Sequence, residues 1–209
     1  TSTLVLGGAD TTLNLTGGSF TNYGTLSLEG NETLTAFTND TANNGTVKYI
    51  GTGSYTGLKA GNSYANISFA STGAGSWTLN NTLTITGDLL LSAGTLATGN
   101  NAINISGNWA KTGGTFTPGS GTVTFNGDTP GKTINSGGTS FATLTINSPA
   151  GTGSWTLNNN DLTATTINVT KGTLATGTRN LGNASSTTLN VNGGTLTGGS
   201  GTINAKTLN

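Results

Sequence analysis

The residues in this sequence best equipped for chemistry are its seven carboxylates, Asp10, Glu29, Glu32, Asp40, Asp88, Asp128 and Asp161. Paired carboxylates serve as general acid and base in polysaccharide cleavage, and clustered ones hold calcium. Their spacing argues against both uses. Only Glu29 and Glu32 are close in sequence, and on a strand a separation of three sends two side chains to opposite faces. Asp88, Asp128 and Asp161 each follow Gly or Asn, a context that makes turn residues of them. The single arginine, Arg179, has no partner that spacing can indicate. No calcium-binding nonapeptide of the GGxGxDxUx type occurs. The Gly-rich stretch Gly193–Gly201 contains neither a GxGxxG entering a helix nor a P-loop ending, and reads as turns.

Other side chains offer recognition rather than catalysis. Trp77, Trp109 and Trp155 are candidate surface-stacking aromatics for a glycan; the competing reading makes them fillers of a core. Thr-x-Thr pairs recur at Thr33/Thr35, Thr82/Thr84, Thr122/Thr124, Thr143/Thr145 and Thr195/Thr197. Flat threonine ladders can bind ice, but these pairs do not recur at every step of the chain. We therefore expect them to be the polar half of alternating strands. Nine Asn-x-Ser/Thr sequons are about what chance yields in a chain so rich in Asn, Ser and Thr, so their number carries no signal.

His, Cys, Met and Gln are absent altogether. That excludes a His/Cys metal centre, a Ser-His-Asp triad, a cysteine nucleophile and a disulfide framework. We expect no enzyme, no cofactor and no metal. Seven basic and seven acidic groups give zero net charge, which removes the footprint of a nucleic-acid binder or a polybasic membrane binder. No apolar run approaches the roughly 20 residues of a membrane-spanning helix. Thr (46), Gly (35), Asn (27) and Ser (18) dominate, while Leu, Ile, Val and Phe total 42 of 209 residues. So thin an apolar supply suits a core one or two side chains wide.

The elements that must position these residues announce themselves by repetition. GSWTLNN occurs at Gly75–Asn81 and Gly153–Asn159, and GTLATG at Gly94–Gly99 and Gly172–Gly177, both offset by 78. GTVKYI (Gly45–Ile50) answers to GTVTFN (Gly121–Asn126), and YANISF (Tyr64–Phe69) to FATLTI (Phe141–Ile146). Residues 45–122 and 121–209 are thus two copies of one unit, preceded by a less regular segment 1–44, within one domain spanning 1–209. A shorter beat of about 20 residues runs inside each copy, marked by segments such as NISF, LTIT, INIS, TVTF and TLNV. Their apolar–polar alternation is that of half-buried strands, and Gly, Asn and Ser clusters follow nearly every one. No stretch carries helical spacing.

Two or more short strands per 20-residue step predict an all-β, parallel β-helix (β-solenoid) with coils of about 20 residues, some ten coils stacked about 4.8 Å apart. The alternative is an antiparallel β-sandwich completed by a strand from a neighbouring subunit. Absorbing small insertions in turns without disturbing the core favours the solenoid.

The stretch Ser63–Gly127, with its GSWTLNN, GTLATG and GTVTF blocks, resembles serial repeats of large secreted bacterial surface proteins. It is also similar to filamentous-haemagglutinin-like adhesins and autotransporter passenger domains. The likeness covers about 45–209. It implies a parallel β-helix, export and a structural or adhesive role, and supplies no catalytic residues.

We therefore expect an extracellular, cell-surface, non-enzymatic protein: a filament or fibre subunit that polymerises with itself, or alternatively a segment of a long adhesin that binds surface glycans. The chain starts at Thr1 without Met, as a mature chain without its signal peptide or a piece of a longer one would. The strand-like ends TSTLVLGG and TINAKTLN carry the candidate polymer contacts Thr3, Leu4, Val5, Leu6, Ile203 and Leu208, because uncapped solenoid ends expose backbone edges and apolar rungs. No nucleic acid and no membrane insertion are expected.

Overall fold

The computed structural model describes residues 2–7 and 11–209; Asp10 lies outside them. The described residues are all β, without helix, and coil into a parallel β-solenoid of about ten turns with roughly 21 residues per turn. Strands are numbered along the chain. The first sheet stacks ten of them in the order β1 (Thr3–Leu6), β3 (Thr25–Leu28), β5 (Thr46–Tyr49), β8 (Asn66–Ala70), β11 (Leu89–Ala93), β14 (Trp109–Lys111), β17 (Lys132–Asn135), β19 (Ser154–Leu157), β21 (Thr173–Ala175) and β23 (Thr195–Thr197). The second stacks β7 (Ser63–Tyr64), β10 (Leu83–Ile85), β13 (Ile103–Ile105), β16 (Thr122–Phe125), β18 (Phe141–Asn147), β20 (Ala164–Lys171), β22 (Thr188–Val191) and β24 (Thr207–Leu208). A shorter third sheet holds β6 (Ser54–Thr56), β9 (Ser76–Thr78), β12 (Thr95–Ala97) and β15 (Thr115–Thr117), and β2 (Thr12–Asn14) pairs with β4 (Thr33–Thr35). All pairings are parallel, so the antiparallel sandwich is excluded.

Alternation decides which residues face inward, and register stacks them. In the first sheet one inward row runs Leu4, Leu26, Val47, Ile67, Leu89, Trp109, Ile134, Leu157. In the second, Leu83, Ile103, Val123, Leu144, Ile167, Leu189 and Leu208 form a row, beside Tyr64, Ile85, Ile105, Phe125, Ile146, Val169 and Val191. These rows merge into one apolar cluster reaching from Leu26 to Leu189. Removing such side chains from water, at about 25 cal/mol per Å2, is what holds a core this narrow together.

The corners are built from small residues because neighbouring coils nearly touch there. Gly94 and Gly172, repeat-equivalent, have φ of 79° and 92°. A Cβ at either would lie 2.7 and 2.8 Å from the carbonyl oxygen of Gly75 and Gly153 on the coil before. Repeat-equivalent serines cap matching turns. The Ser71 hydroxyl donates to the Gly51 carbonyl and accepts from the amides of Gly73 and Gly75; that of Ser148 donates to Asp128 and accepts from Gly151 and Gly153.

The two repeat copies fold alike locally but occupy different sheets. GTVKYI forms β5 of the first sheet, whereas GTVTFN forms β16 of the second. YANISF supplies β8 of the first and FATLTI β18 of the second, while GSWTLNN and GTLATG move from the third sheet (β9, β12) to the first (β19, β21). The cause is arithmetic: a 78-residue offset divided by roughly 21 residues per turn is about 3.7 turns, close to three turns and two faces. Each copy is therefore rotated by one face relative to the last.

Candidate functional site

Among the candidate polymer contacts, the open rungs are exposed apolar groups at the two ends of otherwise continuous rows. At the first end, Leu4 is 42% exposed at the head of the row through Leu26 and Val47, and Leu6 is half-buried at the head of a row that continues through Leu28, Tyr49, Phe69 and Leu91; exposed Thr3 and Val5 lie on the outward face, Val5 in line with Ser27, Lys48, Ser68 and Leu90, and are not rungs of the core. At the other end, Leu208 is 70% exposed beyond buried Leu189, and Ile203 is 41% exposed beyond Leu162 and Leu181. The backbone reaches both ends in ladder geometry: the Thr25 amide donates to the Ser2 carbonyl at 2.9 Å, and the Val191 amide to the Asn209 carbonyl at 2.9 Å. Each end presents both an apolar rung and a strand edge.

The three tryptophans are corrected. Trp77, Trp109 and Trp155 are fully buried, so none stacks on a surface ligand. Each occupies an inward position of its strand and packs against aromatic neighbours. Trp77 stacks on Tyr55 at 5.5 Å, Trp109 meets Phe116 edge-on at 4.9 Å, and Trp155 meets Phe125 at 5.7 Å. The Trp155 indole N–H donates to the Gly107 carbonyl at 3.0 Å, whereas those of Trp77 and Trp109 have no acceptor among the described residues.

The described carboxylates act as staples within and between coils. Asp88 Oδ1 accepts from the backbone and side-chain amides of Asn108, and Asn66 Oδ1 accepts from the Asp88 amide, so one corner carries a chain of such bonds. The Ser148 hydroxyl and the Ala150 amide hold Asp128 below the usual carboxylate range. The backbone and side-chain amides of Asn180 do the same for Asp161, and the Asn43 side-chain amide for Asp40. Glu29 and Glu32 are not set apart by strand alternation, because the chain between them turns. Buried Glu32 folds back and accepts from the amides of Glu29 and Gly30. Among the described residues no three acidic side chains gather as a metal site.

Three features escaped sequence reasoning. Lys111 sits in an inward row after Leu91, 9% exposed, its Nζ donating to the Gly137 carbonyl at 3.4 Å. Alternation from Trp109 was the signal for it. The hydroxyls of Tyr49 and Tyr64, buried side by side at 2.8 Å, are tied to the Ala60 amide and Gly61 carbonyl. And the Thr-x-Thr pairs, which skip coils as expected, belong to a longer polar face of the second sheet. There Thr122, Thr143, Thr166, Thr188 and Thr207 stack in one outward row, with Thr124, Thr145, Asn168 and Asn190 beside it. Asn209 donates to Asn190 and Asn190 to Asn168, at 2.8 and 2.7 Å. Asn stands in for Thr in the later coils, which hid the row from a Thr-x-Thr search.

The first sheet also carries a shallow depression of about 480 Å3, lined by Lys48, Asn66, Ser68, Ala70, Asp88 and the 37% exposed Leu90. No family model, curated protein or solved structure matches the chain. The likeness to secreted adhesin repeats therefore rests on its sequence blocks alone.

Proposed function

We propose that this chain is an extracellular structural protein, a unit of a surface fibre built by end-to-end association of solenoids. The observation that carries this reading is the uninterrupted parallel stack of like coils, whose inward rows run buried from Leu26 to Leu157 and from Leu83 to Leu189 and stay apolar at Leu4 and Leu208. Burying a large aliphatic side chain contributes about 1.5–3 kcal/mol, so each end favours a further coil over water. Zero net charge removes long-range repulsion between copies, and the absence of Cys, Met and His leaves little to oxidise or titrate outside a cell. The staple-like use of the carboxylates supports a mechanical rather than a catalytic role. Electron microscopy and size-exclusion chromatography of the purified chain test the reading. Filaments or concentration-dependent oligomers are expected, and a stable monomer at high concentration would overturn it.

A second reading, a glycan-binding segment of a long adhesin, is favoured by the depression around Leu90. Its mixture of an apolar floor with Lys48, Asn66 and Asp88 suits a sugar ring and its hydroxyls. Leu90→Asp should abolish any glycan retention without affecting self-association.

A further inference from the structure

We propose that the pocket around Lys111 binds a small carboxylate that carries hydroxyl groups, with the lysine ammonium as its charge partner. The site goes beyond both readings above and depends on neither.

Three successive corner turns build it. They leave the first sheet after β14, β17 and β19 and bring Lys111 and Thr112, Asn135 and Gly137, and Asn159 and Asn160 around one open pocket of about 380 Å3. Register places them together, since Ala110 opposes Asn135 and Ile134 opposes Leu157. The Ser136 hydroxyl holds the middle turn by donating to the Asp161 carbonyl at 2.8 Å and accepting from the Gly138 amide at 3.2 Å. Gly137 and Gly138 have φ of 57° and 73°. A Cβ on Gly137 would lie 2.8 Å from Cγ of Lys111, so glycine lets the turn close over the lysine stem.

Lys111 is the anomaly. Its row is apolar through Leu28, Tyr49, Phe69 and Leu91 before reaching it. A cation then takes the inward place, 9% exposed, and its Nζ donates to the Gly137 carbonyl at 3.4 Å and to no other acceptor among the described residues. Burying an ammonium is costly unless it is paired, and two of its three donors remain. Neither Asp nor Glu lines the pocket. Asp161, next to Asn160 in the chain, is engaged instead by the backbone and side-chain amides of Asn180.

Charge selects a monoanion, and the other walls select hydroxyls. One ammonium balances one carboxylate, whereas a phosphate group near neutral pH carries more negative charge than this site offsets. Asn135 is 8% exposed and its Oδ1 accepts from the Gly137 amide at 3.1 Å, which leaves its side-chain N–H groups as donors. The Asn159 and Asn160 amides and the Thr112 hydroxyl add groups that both donate and accept. No large apolar side chain lines the pocket, so a hydrophobic ligand has nothing to rest on.

Nuclear magnetic resonance on the isotope-labelled full chain tests this, with sodium glucuronate as probe and glucose, acetate and phosphate as comparators. Glucuronate should shift the backbone amides of Thr112, Gly137, Gly138 and Asn160 saturably, and glucose should not. Lys111→Met should weaken the response about tenfold or more, as the loss of a charge-assisted hydrogen bond does. Its thermal midpoint should hold or rise, because the row stays apolar. Asn159→Gly keeps the φ of 64° accessible to the backbone and should weaken the response severalfold, which supplies the test if Lys111→Met does not fold. Gluconate separates the sources: a response to either anion supports the site, and the stronger names ring or open chain. Acetate or phosphate matching glucuronate would overturn the hydroxylated carboxylate, as would an undiminished response in Lys111→Met. Shifts confined to the amides around Leu90, or no shifts at all, would overturn the site. Such a failure leaves the fibre reading standing, because that reading is tested by filaments and oligomers.

Discussion

At the residue scale, chemistry that looks equivalent in sequence separates by partner. Trp77 and Trp155 lie in identical GSWTLNN blocks and are equally buried, yet of the two only the Trp155 indole has an acceptor among the described residues. Trp155→Phe leaves the buried Gly107 carbonyl without that donor, whereas Trp77→Phe removes a donor that has no acceptor. We expect Trp155→Phe to be the more destabilising by about 1 kcal/mol in urea titrations. The aspartates set the acid limit. Hydrogen bonds hold Asp128 and Asp161 below their ordinary value in the folded chain. Their stabilisation is therefore present above about pH 4 and is lost as pH falls through the ordinary Asp range towards the lowered folded value. The thermal midpoint should drop on acidification below about pH 4, and Asp128→Asn with Asp161→Asn should flatten that drop. A midpoint equally acid-sensitive in the double variant would remove these two residues as its cause.

At the element scale, turns rather than strands carry the least tolerance. Alternation in NISF, LTIT or INIS is legible because each inward residue needs only to be apolar, and Ile, Leu, Val or Phe all serve. The corners need small size at a backbone angle that L side chains rarely adopt. Gly172→Ala meets both a positive φ and a carbonyl oxygen 2.8 Å from the new Cβ. We expect a loss of about 1–3 kcal/mol from that single methyl, read from the shift in denaturant midpoint. The same change at Gly198, whose Cβ would meet only the tip of Ile203 at 3.9 Å, should be close to neutral. Sequence pattern marked Gly198 as part of a turn stretch and Gly172 only as the start of a repeated block, and could not rank them. The ranking depends on which neighbouring carbonyl lies beneath.

At the scale of the whole molecule, coils contact mainly their neighbours, and stability is close to a sum over coils. Excising residues 172–193 removes one register step of the first sheet, from Thr173 to Thr195, and joins β20 directly to β23. That variant should fold with β-rich circular dichroism and a lowered thermal midpoint. Excising half as many residues should abolish cooperative unfolding, since it places outward threonines in the core. The rotation of one repeat copy relative to the other belongs to this scale too. A surface feature shared by both copies faces two directions, as the outward Ser76 of β9 and Ser154 of β19 do on different sheets.

What the sequence determined by itself was the unit: strands alternating at a two-residue period, small-residue corners, a coil of about 20 residues, and a core thin enough for 42 large apolar side chains. Those are local properties, set by side-chain volume and backbone freedom. The tertiary structure decided what depends on neighbours one coil away. It buried the tryptophans and Lys111, turned aspartates into staples and aligned Thr with Asn in one outward row. It also left Leu4, Ile203 and Leu208 open at the ends. Stacking register is settled by inter-strand hydrogen bonds between residues some 20 apart, and no spacing within a single strand encodes it.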